Sequence, residues 1–141
     1  MKQAVILAGG KGTRLQERLK GLPKPLIDIC GKPLLARQIE LLKQYQYQQI
    51  LILVNHAAQQ IIDYCHAHAN WGLDIQCIDD GEPLGTAGSV INILPRLEDD
   101  FLVVYGDTML DVDLDRFLSF HQENDNAGAT LFLHPNDHPY D

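Results

Sequence analysis

Glycines and basic side chains are concentrated in one short segment near the start of the chain, directly after an apolar run. Gly9, Gly10 and Gly12 have no Cβ, so the backbone can adopt positive φ there and bring several N–H groups close to one anion. Arg14 adds a planar guanidinium, and Lys24 adds a charged amine on a flexible stem. An apolar strand that leads into such a loop is typical of a phosphate-binding site.

Two well-known phosphate-binding loops do not fit this spacing. The dinucleotide-binding pattern G-x-G-x-x-G requires a small third residue, but counting from Gly10 places Leu15 there. A Walker A loop requires Gly-Lys-Ser or Gly-Lys-Thr at its end, whereas Gly12 is followed by Thr13 and then Arg14. The glycines alone leave an ordinary turn as an equal alternative. The added Thr-Arg pair and the following Pro-Lys-Pro segment favour a phosphate site.

The distribution of charge indicates a small anion as the ligand and argues against a nucleic acid. The net charge is −8, yet residues 1–43 hold nine Lys and Arg against three Asp and Glu. Residues 98–141 hold one basic residue against eleven acidic ones. A nucleic-acid backbone requires a broad basic face, which this chain lacks. Carboxylates from the acidic part could bind a divalent cation beside the phosphate.

The composition, 45% apolar and 21% charged over 141 residues, predicts one globular domain over residues 1–141. We find no apolar stretch long enough to span a membrane and no signal-peptide pattern, so we expect a cytoplasmic protein without a membrane partner. Cys30, Cys65 and Cys77 are odd in number and widely spaced, which predicts buried, reduced thiols without a catalytic role.

Apolar runs and helical periodicities alternate along the chain. They predict strands at residues 3–8, 49–54, 74–79, 101–105 and 129–133, and helices at 34–45, 58–69, 86–94 and 113–124. The unbroken apolar run of the second strand is typical of a parallel sheet buried on both faces. Thr86 is predicted to cap the third helix, and Pro95 to end it. This order of elements predicts an α/β fold with a mostly parallel sheet covered by helices on both faces.

Ligands of open α/β sheets bind beyond the carboxyl ends of the strands. Here those ends carry the Gly9 loop, the segment around His56, the Asp79–Asp80 loop and the Gly106–Asp107 pair. Taken alone, Asp107 is more simply a polar residue in a Gly-Asp turn. All of these unusual residues lie at one edge of the predicted sheet.

Several segments, in this order, resemble the sugar-phosphate nucleotidyltransferases, also called nucleoside-diphosphate-sugar pyrophosphorylases. They are LAGGKGTRL at residues 7–15, LPKPL at 22–26, GKPLL at 31–35, EPLGTAGS at 82–89 and VVYGDT at 103–108. The resemblance covers essentially the whole chain. It implies a Rossmann-like, three-layer α/β/α nucleotidyltransferase fold. It also implies a reaction in which an NTP and a sugar 1-phosphate give an NDP-sugar and pyrophosphate, with Mg²⁺ as cofactor.

The same resemblance implies a role for each motif residue. Arg14 would hold the departing pyrophosphate, Lys24 would meet the α-phosphate, and Asp107 would bind Mg²⁺. The implied nucleotide-binding residues are Leu7, Ala8, Gly9, Gly10, Lys11, Gly12, Thr13, Asp80, Gly85, Thr86, Ala87 and Gly88. The reaction needs no nucleophilic Ser, Cys or His, because the attacking sugar phosphate is already an anion.

The choice of base and sugar stays open between alternatives. Asp80 lies five residues before Gly85, where related enzymes place a residue that reads the base. A carboxylate from Asp80 or Glu82 could accept from the N1–H and amino group of guanine. Uridylyl-transferring relatives also carry acids in this loop, so GTP is favoured and UTP stays open. The tail at residues 134–141 resembles heptose 1-phosphate guanylyltransferase-like members, which favours a heptose or mannose 1-phosphate.

The resemblance further implies that the family needs more chain than these residues supply. Its usual second half carries another magnesium-binding aspartate, a lysine for the sugar phosphate and the sugar pocket. Residues 1–141 are therefore expected to be a C-terminally truncated, nucleotide-binding portion. A homo-oligomer or a fused second domain in the parent protein stays open. The alternative to an active enzyme is a nucleotide-binding module or regulatory fragment without turnover.

Overall fold

The structure is a computed structural model, and it describes residues 2–9, 22–54, 58–81, 85–124, 126 and 128–132. The chain divides into two units, Met1–Leu110 and Asp111–Asp141. Among the described residues, no helix combines the length and the apolar character that crossing a membrane requires.

Strands and helices alternate through the first unit, and the second unit contributes one described helix. In chain order they are β1 (Gln3–Leu7), β2 (Asp28–Ile29), β3 (Lys32–Pro33), α1 (Leu34–Gln44), β4 (Gln49–Val54), α2 (Ala58–Ala67), β5 (Asp74–Asp79), α3 (Gly85–Asn92), β6 (Leu102–Tyr105) and α4 (Leu114–Glu123). Short 3₁₀ helices occur at Lys24–Leu26, Ala69–Gly72 and Leu94–Arg96.

The first unit is built on a parallel sheet with the strand order β5-β4-β1-β6 in the described part of the chain. Gln3 of β1 pairs with Gln49 of β4, which in turn pairs with Asp74 of β5. On the other side of β1, Ala4 pairs with Leu102 of β6. Since all these pairs are parallel, the carboxyl ends of the four strands meet at one edge. The predicted α/β fold with a mostly parallel sheet is confirmed.

The two inner strands are buried on both faces, as their unbroken apolar runs predicted. The side chains of residues 4–6 and 50–54 are at most 1% exposed. Helix α1 turns its apolar stripe inward, and Leu35, Ile39 and Leu42 are among its buried residues. This core holds the strand ends in fixed positions.

A short hairpin between the 3₁₀ helix Lys24–Leu26 and α1 was not predicted from the sequence. Strands β2 and β3 pair antiparallel, and Cys30 and Gly31 form the turn between them with φ of 52° and 87°. Two successive residues at positive φ are typical of a tight hairpin turn, but strands of two residues are too short to show periodicity. Cys30 is exposed there, so the prediction that all three thiols are buried is wrong for Cys30.

Helix α3 also differs from its prediction at the start. It already includes Gly85, whose φ is +74°, so Thr86 lies inside the helix and is not its N-cap. Only glycine adopts that φ without strain, which allows the chain to turn into the helix one residue early. The helix ends at Asn92, shortly before the 3₁₀ helix that contains Pro95.

In the second unit the predicted helix is present as α4, but the strand predicted at residues 129–133 is wrong for the described residues 129–132. Leu131 and Phe132 are 77% and 56% exposed. Phe132 meets Phe117 of α4 edge to face, with ring centroids 6.3 Å apart. A strand needs a neighbouring strand for its backbone hydrogen bonds, and no strand is described in this unit.

Candidate functional site

The carboxyl end of β1 leads into the glycine loop. Ala8 is nearly buried, and its N–H donates to the carbonyl of Leu53 at the end of β4, with an N–O distance of 2.8 Å. Leu7 packs against the core from a partly buried position, and Gly9 is exposed. The remaining loop residues to which the sequence assigned phosphate contacts lie outside the described residues. They are Gly10, Lys11, Gly12, Thr13 and Arg14.

Gly106 directly follows β6, and it allows the carboxyl ends of β1 and β6 to approach each other closely. Its N–H donates to the carbonyl oxygen of Leu7 at 2.8 Å. A Cβ at Gly106 would lie 2.8 Å from that same oxygen and 3.1 Å from Cα of Ala8. Only glycine permits this approach, because real Cβ atoms do not come so near to backbone atoms. The start of the glycine loop and the Asp107 turn are therefore direct neighbours.

Asp107 is exposed in the turn that follows β6. The turn is closed by a hydrogen bond from the N–H of Thr108 to the carbonyl of Tyr105, at 3.1 Å. The Thr108 hydroxyl donates to Oδ1 of Asp107 at 3.5 Å. Oδ2 of Asp107 accepts no hydrogen bond from the described residues, so the exposed carboxylate could contact a ligand.

The turn has a second support, which the sequence did not reveal. Gln38 of α1 is 2% exposed, and its Nε2 donates to the carbonyls of Tyr105 and Thr108 at 2.9 and 2.7 Å. The only signal in the sequence is one polar residue on a helix face that is otherwise apolar.

Lys24 lies in the 3₁₀ helix Lys24–Leu26, between an extended Pro23 and a buried Pro25. The segment is fixed to α1, since the N–H of Leu34 donates to the carbonyl of Ile27 at 3.0 Å. The amine of Lys24 makes no ion pair or side-chain hydrogen bond among the described residues. As far as the described residues show, the Lys24 amine is available to contact a phosphate, and the backbone that carries it is held in place.

Asp80 follows β5 and is held from two sides. Its N–H donates to the carbonyl of Val54 at 2.8 Å, and its Oδ2 accepts from the hydroxyl of Ser89 in α3 at 2.7 Å. The other carboxylate oxygen, Oδ1, is buried and has no hydrogen-bond partner among the described residues. The Ser89 contact was missed from the sequence, and it connects the Asp80 loop to α3.

The start of α3 presents small residues to solvent. Gly85, Thr86 and Ala87 are exposed and Gly88 is half-buried. A Cβ added at Gly85 would meet no atom within 4 Å, so the helix start is open. The first backbone N–H groups of an α-helix have no intrahelical acceptor and suit a polar or anionic ligand.

The strand order places these groups along one edge. Asp80 follows β5, Gly9 follows β1, and Asp107 follows β6. With parallel strands about 5 Å apart, Asp107 is next to the glycine loop and Asp80 is roughly 10 Å away on the other side. Such a span suits an elongated ligand with an anionic part near β6 and a flat polar part near β5.

The donor set fits Mg²⁺ only together with a ligand that brings further oxygens. Among the described residues, no cluster of three or more His, Cys, Asp or Glu side chains could hold a metal ion. Mg²⁺ commonly takes one or two carboxylates and completes its shell with water and substrate phosphates. Asp107 offers one such exposed carboxylate at the edge where a phosphate would lie.

The buried thiols are unsuited to nucleophilic chemistry. Burial raises the pKa of Cys65 to about 11 and that of Cys77 to about 12. Both groups are therefore neutral thiols near neutral pH, and the thiolate is the reactive form.

Residues 3–141 match the family model described as Nucleotidyl transferase. The chain belongs to the nucleotidyl transferase family. Its resemblance to sugar-phosphate nucleotidyltransferases is confirmed by individual relatives. It is 36% identical over 141 residues to the UTP–glucose-1-phosphate uridylyltransferase of Synechocystis, covering 92% of this chain and 36% of the relative. It is 32% identical over 133 residues to the mannose-1-phosphate guanylyltransferase catalytic subunit beta of Danio rerio, covering 92% and 37%.

Solved structures of the nucleotidyl transferase family agree with the fold. HddC from Yersinia pseudotuberculosis superposes with a TM-score of 0.77 at 37% identity, covering 85% of this chain and 54% of that one. The same protein complexed with GMP-PN gives a TM-score of 0.76. The chain spans little more than a third of the length of the two curated relatives named above. The Rossmann-like nucleotidyltransferase fold is confirmed.

Proposed function

We propose that this nucleotidyl transferase moves a nucleotidyl group from an NTP, with GTP favoured, to a sugar 1-phosphate of the mannose or heptose type. Pyrophosphate and an NDP-sugar would be the products, which places the reaction in nucleotide-sugar biosynthesis. The observation that carries the proposal is the hydrogen bond from Gly106 to Leu7, because it sets the Asp107 turn beside the start of the glycine loop. Family membership and the guanylyltransferase relatives support it.

In the proposed reaction, an oxygen of the sugar phosphate attacks the α-phosphorus of the NTP. The bond from the α-phosphorus to the bridging oxygen breaks, and that oxygen leaves with pyrophosphate. The attacking group is already an anion, so no side chain has to remove a proton. The protein's part is to align the two phosphates and to offset their charge.

Lys24 is proposed to stabilise the charge that builds on the α-phosphate. Its support is an amine without an ion pair in the described part of the chain, on a backbone that Pro23, Pro25 and α1 hold in place. A donor fixed in advance stabilises the transition state more than the bound ground state. Arg14, which lies outside the described residues, is proposed to hold the leaving pyrophosphate.

Asp107 is proposed to hold Mg²⁺ with the nucleotide phosphates. When bound, Mg²⁺ would neutralise part of the phosphate charge and orient the leaving group. The exposed carboxylate and its closed turn support this assignment.

GTP is favoured over UTP through Asp80. Guanine offers an N1–H and an amino group, both donors, and the Asp80 carboxylate, which the Ser89 hydroxyl orients, is the acceptor proposed for them. The HddC structure with GMP-PN agrees with a guanine nucleotide in a similar protein. UTP is the second candidate because the Synechocystis relative is a uridylyltransferase. Glu82, the other candidate for base contact, lies outside the described residues.

A pyrophosphate-release assay tests the reaction. The full chain is incubated with Mg²⁺, each NTP in turn and a panel of sugar 1-phosphates. We expect release with GTP and a mannose or heptose 1-phosphate. Release with UTP and glucose 1-phosphate would replace the guanylyl assignment by a uridylyl one. Nucleotide binding without any release would favour the binding module or regulatory fragment.

Matched variants test the base contact. Asp80→Asn keeps an acceptor for Ser89 but places an amide where guanine would donate, so we expect the preference for GTP over UTP to fall about tenfold. Asp79→Asn is the control, since Asp79 is exposed and, among the described residues, accepts only from the N–H of Gly81, at 2.8 Å. An unchanged preference in Asp80→Asn would remove Asp80 from base recognition.

A further inference from the structure

Gln38 spans the turn that carries Asp107. Its Nε2 donates to the carbonyl of Tyr105, the last residue of β6, and to that of Thr108, the residue after Asp107. These bonds of 2.9 and 2.7 Å fix both sides of Asp107 to one buried amide on α1. The position of the Asp107 carboxylate therefore depends on Gln38.

The chemistry of its neighbours settles which way this amide faces. Both partners are carbonyl oxygens, so the NH₂ group must point at them and uses both of its hydrogens. The carbonyl oxygen Oε1 of Gln38 is then buried without a hydrogen-bond donor among the described residues. An unmet buried acceptor costs free energy, typically about 1–3 kcal/mol. The two hydrogen bonds to the carbonyls of the turn are therefore what this amide contributes.

Gln3 is a second buried glutamine, and its contacts can be explained by stability alone. It is 1% exposed, and its Nε2 donates to Oε1 of Gln49 at 2.7 Å and to the carbonyl of Arg96 at 2.8 Å. Its Oε1 accepts from the N–H of Glu98 at 2.8 Å. Every polar atom of this side chain has a partner, in contrast to Gln38.

The helix that carries Gln38 also supports the Lys24 segment. Its first residue, Leu34, donates to the carbonyl of Ile27. One turn later the Arg37 guanidinium donates to the carbonyl of Ile29 at 2.6 and 3.1 Å. Helix α1 therefore fixes the Lys24 segment from one side and the Asp107 turn, through Gln38, from another.

We propose that Gln38 is a positioning residue that sets the affinity of the Asp107 turn for a divalent cation bound to a nucleoside triphosphate. This inference rests on the proposed function. Gln38 acts through the backbone of Tyr105 and Thr108 and does not touch the cation. Its loss lets the turn move while the fold persists, so cation affinity falls before the maximum turnover does.

A matched pair of variants in the full chain tests the proposal. Gln38→Met and Gln3→Met each replace a buried glutamine by an apolar side chain of similar length, at opposite ends of the sheet. The probe is Mn²⁺ with GTP, and bound Mn²⁺ is measured by its electron paramagnetic resonance signal. We expect Gln38→Met to weaken Mn²⁺ binding about tenfold, the scale seen for residues that orient metal ligands. Gln3→Met should bind Mn²⁺ like the unaltered chain.

Amide hydrogen exchange supplies a readout that needs no metal. The N–H of Thr108 closes the turn, so its exchange should accelerate in Gln38→Met and stay unchanged in Gln3→Met. If Gln38→Met fails to fold, Gln38→Glu provides the second variant. It keeps the size of the side chain, but a carboxylate has no hydrogen to donate to the two carbonyls and a protonated carboxyl has only one, so we expect a weakening of the same kind.

The outcomes separate this inference from the proposed function. If the unaltered chain binds no Mn²⁺ with GTP, the proposed function fails and this inference fails with it. If the unaltered chain binds and folded Gln38→Met binds equally well, only the role of Gln38 is overturned. Equal weakening in both variants would also overturn it, because a general loss of stability would then be the cause.

Discussion

At the amino ends of the strands, the amide of Gln3 connects β1, β4 and the segment before β6 through three hydrogen bonds. At the carboxyl ends, by contrast, buried polar atoms are left over. Gln38 Oε1 and Asp80 Oδ1 are the buried side-chain atoms without a partner in the described part of the chain, and both lie beside strand carboxyl ends.

At the carboxyl ends, Gly9, Gly85 and Asp107 are exposed, where a ligand could reach them. Sequences keep unmet polar groups mainly where function requires them, and ligands of open α/β sheets bind at the carboxyl ends. The difference teaches that one end of the sheet is built for stability and the other for a ligand.

Lys24→Ala gives the largest expected effect on the carboxyl end. If Lys24 stabilises the transition state, turnover should fall by about 10²–10³-fold in the full-length protein, with a much smaller change in NTP affinity. Steady-state kinetics of pyrophosphate release provide the measurement. Lys32→Ala is the control, because Lys32 is half-exposed and paired with Glu40 at 2.8 Å. A loss of NTP affinity with unchanged turnover would mean that Lys24 binds the ground state and the transition state equally.

Gln3→Met should have the largest effect at the amino end, and the effect should be on stability alone. It leaves the Arg96 carbonyl and the Glu98 N–H without their partner, so we expect a loss of about 3 kcal/mol in the free energy of unfolding. Urea denaturation measures this loss. Nucleotide affinity of the folded variant should be unchanged, and a weakened affinity would break the division between the two ends.

Gly106→Ala should affect both stability and ligand binding. The added Cβ meets the Leu7 carbonyl at 2.8 Å, and the displaced strand end should cost about 2 kcal/mol of unfolding free energy. Gly128→Ala is the control, since no atom lies within 4 Å of a Cβ there and its φ is not in the left-handed region. Two variants of equal stability would contradict the close approach of β1 and β6.

Ser89→Ala should have the smallest effect. It removes the 2.7 Å hydrogen bond to Asp80 and leaves the carboxylate with fewer partners, at a cost of about 1 kcal/mol. If Asp80 reads the base, the preference for GTP should also decrease, because the carboxylate is less firmly oriented. Competition between GTP and UTP in a binding assay measures this. A preserved preference would separate the Ser89 contact from base recognition.

Local patterns in the sequence were sufficient for the central sheet. The unbroken apolar runs of β1 and β4 predict strands buried on both faces, and the glycines after β1 mark the site end. The strand predicted at residues 129–133 had the same apolar character but no neighbouring strand to pair with among the described residues. Apolar character alone therefore did not decide strand formation.

Contacts between residues that are far apart in the chain could not be predicted from the sequence. Gln38 meets residues that lie 67 and 70 positions later, so nothing near it in the chain reveals its role. Gly106 is needed because of the Leu7 carbonyl, which lies at the far end of the first unit in sequence. The motif residues themselves were predictable, whereas the groups that hold Asp107 and Asp80 in place were not.

The most direct test of this division is a map of amide chemical shifts on adding Mg²⁺ and a non-hydrolysable GTP analogue to the full chain. We predict changes at Gly9, Asp107 and residues 85–88, and none at Gln3 or Glu98. Changes confined to the amino ends of the strands, or no change at saturating analogue, would contradict a nucleotide site at the carboxyl edge of the sheet.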